Sequence, residues 1–520
     1  MPIAATVRKN FYQDSVALMR ISQGVAGRAG LARVSLLMGT PANKDILGQA
    51  GLLAPELDGA TPTDLMILVE GDGDALAPAL EAIAAELKGG DAKAPAGAIE
   101  LAPRSIAMGL ERLAGATLAQ VSVPGPYAAA EALKALKRGL HVFLFSDNVP
   151  LAEEQAVKRL AAKKGLLVMG PDCGTAIVGG VPLGFANAVR RGAIGVAGAS
   201  GTGMQEVTCR IHQLGEGVSH ALGTGSRDVY EAVGGTTLLA AIDLLARDPA
   251  TRVIAIVSKP PAPGVAGRAL AALRKSGKPA VVLFLGAELP EEGSVHPVAT
   301  LEAAAATAVA LARGTSVAAA TPAAPAASTA APAPAGFDAA VARLKPSQKF
   351  LRGLYSGGTY CTEAQLVWRG AGLDAWSNAP LDKRFALPHL AASRSHTAID
   401  LGADEFTVGR PHPMIDFAAR LERLGEEARD PAVAAIVLDV VLGYGAHADP
   451  AGALAPAVRA ARAAAARDGR DLLVLGFLCG TDGDPQPLAA QAAALAECGM
   501  VLAPGSTAAA KLAARAATRS

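Results

Sequence analysis

The chain has 520 residues, 48 basic against 47 acidic, a formal net charge of +1 and 51% hydrophobic side chains, many of them alanine. At about 150 residues per domain this length predicts three or four domains, and the even mixing of charge leaves no electrostatic footprint for nucleic acid or an anionic membrane. No uncharged apolar run reaches the roughly 18 residues a membrane-spanning helix needs, which predicts a soluble protein.

Residues 1 to about 95 alternate strand-like runs (Ile3 to Val7, Val34 to Met38, Leu65 to Val69) with helical patterns and predict a small α/β unit. The N-terminus MPIAATVRKNFYQDS lacks the apolar core of a secretory signal, so the expected location is the cytoplasm. After the linker-like KGGDAKAPAGA, residues 100 to 190 carry apolar runs that end in turn-rich segments (AQVSVPGPY, HVFLFSDNVP, LLVMGPDCGTA), each followed by a helix-compatible stretch. Strand, crossover helix, strand is the parallel-sheet signature and predicts a Rossmann-like domain. A third unit spans 191 to 314, an Ala/Pro linker spans 315 to 336, and a fourth unit spans 337 to 520.

The third and fourth units match in order: GTGMQE with GTYCTE, DPATRVIAIVSK with DPAVAAIVLDVV, and VVLFLG with VLGFLCG. Three anchors in one order predict a duplicated flavodoxin-like, parallel-sheet domain.

Within that frame Ser200-Gly201-Thr202-Gly203 follows the strand-like Ile194 to Ala197 and opens a helix. Small residues there let free amide groups converge at a helix N-terminus, where a phosphate or carboxylate is favoured; a structural reading, in which Ser200 or Thr202 merely caps the helix, stands beside it. Ser356-Gly357-Gly358-Thr359 repeats the pattern, so two anion cradles are expected. Neither loop is a Walker A motif or a GxGxxG fingerprint.

Other strand ends carry polar residues: Asp147 and Asn148, Asp172 and Cys173, Lys259, and Arg410 with His412 between prolines. In open parallel sheets ligands bind outside the carboxyl ends of the strands, so these are candidates for catalysis or cofactor binding. Asx-turns, caps and surface ion pairs are the competing roles. Five scattered cysteines, Cys173, Cys209, Cys361, Cys479 and Cys498, include no CxxC pair, which argues against a disulfide framework, and no cluster has metal-ligand spacing. No intrinsic metal is expected. His296 and His447 are acid-base candidates by residue type alone.

The succession VPGPYAAAEALKALKRGLHVFLFSDNVP, GLLVMGPDCGTAIVGGVPLGFAN, IGVAGASGTGMQE resembles α subunits of succinate-CoA ligase and related acyl-CoA synthetases. QDSVALMRIS, MGTPANK, SDNVPLAEE, MGPDCGTA, GASGTG, VSKPPA, LYSGGT and VGRPHPMID together resemble the FdrA family over nearly the whole chain. The resemblance implies a CoA-binding-like Rossmann domain at 100 to 190 and two ligase-type flavodoxin-like domains. It also implies chemistry that passes phosphate from a nucleotide through a phosphohistidine to an acyl phosphate, which CoA then attacks. By that analogy the Ser200 to Gly203 loop holds the phosphoryl group with Asp172 and Cys173 beside it; Asp147 and Asn148, at their strand end, are the cofactor-binding candidates.

The chain departs from that family where the phosphohistidine's Gly-His-Ala segment would stand, offering only Val295-His296-Pro297, and Ser258-Lys259 replaces the glutamate that supports the histidine. It shows no ATP-grasp region, so a nucleotide would come through another subunit. FdrA-like proteins are also associated with oxamate carbamoyltransferase, for which an anion cradle and a carboxylate-holding Arg410 would serve without a phosphohistidine. The expected ligands are a small carboxylate and a phosphorylated substrate, and the expected partners are further enzyme subunits and other copies of the chain. A non-catalytic scaffold is the third reading.

Overall fold

The computed structural model describes residues 1–11, 13, 15–49, 52–89, 102–317, 333–407 and 410–519. Most of the Ala/Pro linker, and most of KGGDAKAPAGA, lie outside these residues. The described chain divides into two compact units: one holds Met1–Arg112 with Thr407–Pro411, and the other holds Leu113–Phe406 with His412–Ser520.

In the first unit an antiparallel sheet sets Leu65–Gly71 between Ile3–Arg8 and Leu31–Met38. The central strand reads LMILVE because both of its faces are covered. Leu65, Ile67 and Val69 pack with Leu18, Val25 and Ile83 of the helices Ser15–Ala26 and Gly73–Gly89. Met66 and Leu68 pack on the other side with Leu47, Leu52 and Leu57.

The second unit begins with a three-stranded parallel sheet, Leu118–Val121, His141–Leu144 and Val168–Met169, crossed over by the helices Gly125–Lys137 and Leu151–Lys164. The hairpin Thr175–Val178 and Val181–Gly184 then joins the edge of the next sheet in antiparallel register with Val218–Gly223.

That sheet and the last one have one plan. In the first repeat the strands, in chain order, are Arg191–Gly198, Val218–Gly223, Val253–Ser258, Ala280–Phe284 and Val295–Pro297. In the second they are Phe350–Tyr355, His396–Asp400, Val433–Val441, Leu473–Cys479 and Val501–Ala503. Both sets are parallel and lie in the spatial order second, first, third, fourth, fifth, with Ala375–Ser377 added at one edge of the second set. This is the flavodoxin-like order. The fold is therefore α/β with parallel sheets. Val433–Val441 is buried at all 9 positions, as a strand covered by helices on both faces must be.

The two repeats share a core. Helices Gly201–Gln213 and Leu301–Arg313 of the first pack with Gly358–Gly370 and Ser506–Ala517 of the second. Met204, Val207, Leu301, Ala305, Tyr360 and Leu512 belong to one buried cluster. Alanine is the commonest residue in Leu301–Arg313 and Ser506–Ala517, and its small side chain lets these helices approach closely. Within the second repeat the Trp368 indole N–H donates to the Ala510 carbonyl at 3.1 Å and joins its two seam helices.

Candidate functional site

Each repeat's first strand ends in a short loop that enters a helix. Gly198 ends the first such strand with φ near +154°, and a Cβ there would overlap the Val257 carbonyl oxygen, so glycine alone fits. Ala199 and Ser200 follow, and the helix begins at Gly201. In the second repeat Tyr355 gives way to Ser356 and Gly357, and the helix begins at Gly358. No side chain caps either N-terminus, so both helices keep free amide donors there.

The two loops face each other. Ser200 Oγ and Thr359 Oγ1 share a hydrogen bond of 2.7 Å. The approach is reciprocal: a Cβ on Gly203 would strike Ser200 and Thr359, and one on Gly357 would strike Thr202. Ser200, Gly201, Thr202, Ser356, Gly357, Gly358 and Thr359 thus line one cavity of about 190 Å³. The two cradles expected from sequence are one site, built where the carboxyl ends of two parallel sheets meet. Gly203 is not on the wall; it makes room behind it.

Further strand ends complete the lining. Lys259 follows the third strand of the first repeat, Thr224 to Ser226 follow the second, and Asp400 closes the second strand of the other repeat. Asp172, Cys173 and Thr175 come from the segment after the three-stranded sheet, and His412 and Met414 from the segment before the helix Ala418–Glu427.

His412 Nδ1 accepts the Met414 amide at 3.3 Å, which leaves the ring proton on Nε2. Burial holds this imidazole down at about 4, so near neutral pH it is an uncharged N–H donor. Asp400 Oδ1 accepts the Gly402 amide at 3.0 Å, and Oδ2 would lie 2.8 Å from a Cβ on Gly358, at the second helix N-terminus. Burial lifts this carboxyl to about 6. Burial also raises Asp172, against the opposing pull of the Ser226 hydroxyl and the Lys259 charge.

Several sequence candidates have other occupations. Burial pushes the Cys173 thiol up to about 12, so it stays protonated at neutral pH. Ser356 donates both its amide and its hydroxyl to Asp439, which also accepts from Arg420, so its polar groups face the protein. Asp147 and Asn148 lie outside the cavity lining, in the loop after His141–Leu144. Arg410 is exposed, lies outside the cavity lining and belongs to the first unit. His296 also lies outside the lining, with Nδ1 3.0 Å from Glu291 Oε1. His447 Nδ1 accepts the Asp449 amide.

Sequence reasoning missed Asp400, Phe185 and a buried support. Lys158 Nζ lies 3.0 Å from Glu154, 2.7 Å from Asp228 and 3.2 Å from the Thr224 carbonyl, which it holds at the cavity wall. Arg227 closes the network on Glu154 at 2.9 Å. Glu154 and Lys158 are an i,i+4 pair on the helix Leu151–Lys164, and both are buried. The one available signal for Asp400 was a carboxylate ending the apolar run HTAID just before a glycine.

A CoA-ligase family model matches residues 354–516, and a CoA binding domain model matches 189–286. The second match falls over the first repeat, downstream of the 100 to 190 span that sequence reasoning assigned to a CoA-binding-like domain. The paired parallel sheets thus carry CoA-ligase and CoA-binding domains on an α/β fold. Over 154 residues the chain is 29% identical to the succinate-CoA ligase [ADP-forming] subunit alpha of Aquifex aeolicus (strain VF5), covering 28% of this chain and 48% of that one. It is 28% identical over 151 residues to the ADP-forming sulfoacetate-CoA ligase subunit SauD of Bilophila wadsworthia (strain 3_1_6), covering 28% of this chain and 50% of that one. These matches span about half the length of each relative. Over 510 residues the chain is 44% identical to the uncharacterized protein YahF of Escherichia coli (strain K12), covering 98% of this chain and 97% of that one. The chain belongs to the YahF family.

A third model, described as an AllF heavy metal-associated domain, matches residues 1–102. That stretch has neither cysteine nor histidine, so it offers no thiolate or imidazole to a metal. Among the described residues no group of three or more His, Cys, Asp or Glu side chains could hold a metal ion, and no helix is long and apolar enough to cross a membrane.

Proposed function

We propose that the cavity binds a small acyl phosphate and promotes transfer of its acyl group to an acceptor, in an FdrA-type enzyme of the CoA-ligase class. The observation that carries this reading is the 2.7 Å bond between Ser200 and Thr359, which holds two helix N-termini at one point. Free amides from both helices and the Lys259 ammonium would receive the phosphoryl oxygens. The His412 Nε2–H, uncharged and fixed in direction, would donate to an oxygen that gains charge as the acceptor adds to the acyl carbon. When the acyl–oxygen bond breaks, phosphate leaves into a site already arranged for a dianion. A cavity of about 190 Å³ suits this reacting group and not a whole CoA molecule, so CoA would present only its thiol as acceptor. A nucleotide, where the acyl phosphate is made from one, would come through a partner subunit.

A second reading is a carbamoyltransferase component acting on carbamoyl phosphate and oxamate. A specific observation favours it. The imidazole that lines the cavity carries its proton on Nε2 and gives its Nδ1 lone pair to Met414, so it has no free lone pair to take a phosphoryl group. His296 lies outside the lining. Both readings therefore use an acyl phosphate that arrives ready-made.

Phosphate release decides between them. The chain, with its co-purifying subunits, is given acetyl phosphate with CoA or carbamoyl phosphate with oxamate. One pair is expected to turn over, and Lys259→Met to lower kcat/KM at least about tenfold, equivalent to roughly 1.4 kcal/mol of transition-state stabilisation. Turnover of neither pair, or an unaffected Lys259→Met variant, refutes the proposal.

A further inference from the structure

The cavity has a polar side and an apolar side. Phosphoryl-binding groups occupy the first, while Phe185, Met204 and Met414 contribute apolar surface. An acyl chain bound as proposed above would extend from the loops toward these residues. Two methionines yield readily, because an unbranched thioether has several accessible rotamers. Phe185 is held differently.

Its backbone is tied to the wall beside the first loop: its amide donates to the Gly174 carbonyl at 2.7 Å, and the Thr175 hydroxyl donates to its carbonyl at 2.8 Å. Thr175 Oγ1 in turn lies 3.5 Å from where a Cβ on Gly201 would sit, so the phenylalanine is anchored one residue's reach from the phosphoryl cradle. The ring is wedged on three sides. Its centroid is 5.6 Å from that of Phe145 and 5.1 Å from the His412 ring, and a Cβ on Gly445 would lie only 3.0 Å from its Cδ1. Only 9% of the residue is exposed. A ring packed against neighbours on these three sides is held at the cavity wall more firmly than an unbranched side chain would be.

We infer that Phe185 sets the length of the acyl group, restricting this site to acyl phosphates of about two or three carbons. The inference rests on the acyl-phosphate reading. The same ring braces His412, so chain length and the aim of the Nε2–H are fixed by one side chain. The cavity volume, below the roughly 300 to 1,000 Å³ of ordinary ligand pockets, agrees with a short occupant.

Displacement of inorganic phosphate by acetyl phosphate and by butyryl phosphate, followed calorimetrically, tests it. The unaltered chain is expected to bind acetyl phosphate at least about tenfold more tightly than butyryl phosphate. In Phe185→Leu, which removes the rigid ring, that ratio is expected to fall below about threefold. Because the ratio is taken within each variant, a general loss of affinity cancels. Should Phe185→Leu not bind phosphate, Phe185→Met makes the same comparison with an unbranched side chain of similar volume that packs more adaptably. An unchanged ratio in the variant, or equal binding of both compounds by the unaltered chain, overturns the inference. If inorganic phosphate binds the unaltered chain but acetyl phosphate does not displace it, the acyl-phosphate reading itself fails, an outcome separate from the other two.

Discussion

Asp400 and His412 bracket Gly402 with opposite protonation habits: burial keeps one a carboxylic acid to about 6 and the other an uncharged imidazole down to about 4. Between these values neither side chain opposes an incoming anion. Above about 6 Asp400 ionises at the helix N-terminus where the anion must bind, so affinity falls as pH rises. Sulfate does not titrate in this range and isolates the effect. Its affinity, measured by calorimetry, is expected to drop about tenfold between pH 5 and pH 7, the equivalent of about one pKa unit. Asp400→Asn is expected to flatten the dependence and bind sulfate at pH 7 as the unaltered chain does at pH 5; a slope that persists in the variant counts against this role.

At the scale of elements, the glutamates that end the matched segments GTGMQE and GTYCTE tie each repeat to the other. Glu206, in the first repeat, accepts the Ser506 amide at the start of the second repeat's last helix. Glu363, in the second, accepts the Leu301 amide at the start of the first repeat's last helix, and also the Ser506 and Thr507 hydroxyls. Glu363→Ala strands three buried donors and is expected to lower unfolding free energy by about 2–4 kcal/mol in denaturant titrations. Burial raises Glu206 to about 7. The folded chain thus holds this proton more tightly than the unfolded chain, and the stability it gains is full below about 4.5 and lost as pH rises through 7. Thermal melts at pH 5.5 and 8 are expected to differ less in Glu206→Gln than in the unaltered chain, and an equal difference would remove Glu206 from the account.

For the molecule as a whole, the decisive feature is that duplication makes one site instead of two. Calorimetry with sulfate is expected to give one site per chain, with the Ser200→Ala and Thr359→Val variants weakening the same single event. Two independent sites, each lost in only one variant, would contradict the shared cavity. Isolated repeats would each present one helix end, whereas the full chain presents two at a single point, doubling the dipolar contribution without adding formal charge. The two helix ends thus meet at one cavity in a chain whose net charge is only +1.

Local chemistry made much of this legible in the sequence. Runs such as VAAIVLDVV specify buried parallel strands, and small residues after them specify tight entries into helices, so the α/β class, the duplication and the loops Ser200 to Thr202 and Gly357 to Thr359 follow from short-range pattern. Which polar groups stay free was beyond that pattern. Ser356 reads like Ser200 until Asp439, 83 residues later, takes its amide and hydroxyl. Cys173 reads as a catalytic candidate at a strand end until burial fixes its proton. Asp400 gains its role only from the helix entry it packs against, and Phe185 from two rings and a glycine distant in the chain. Hydrogen-bond commitment and desolvation depend on what the whole fold brings within a few ångströms, and only the tertiary structure decides that.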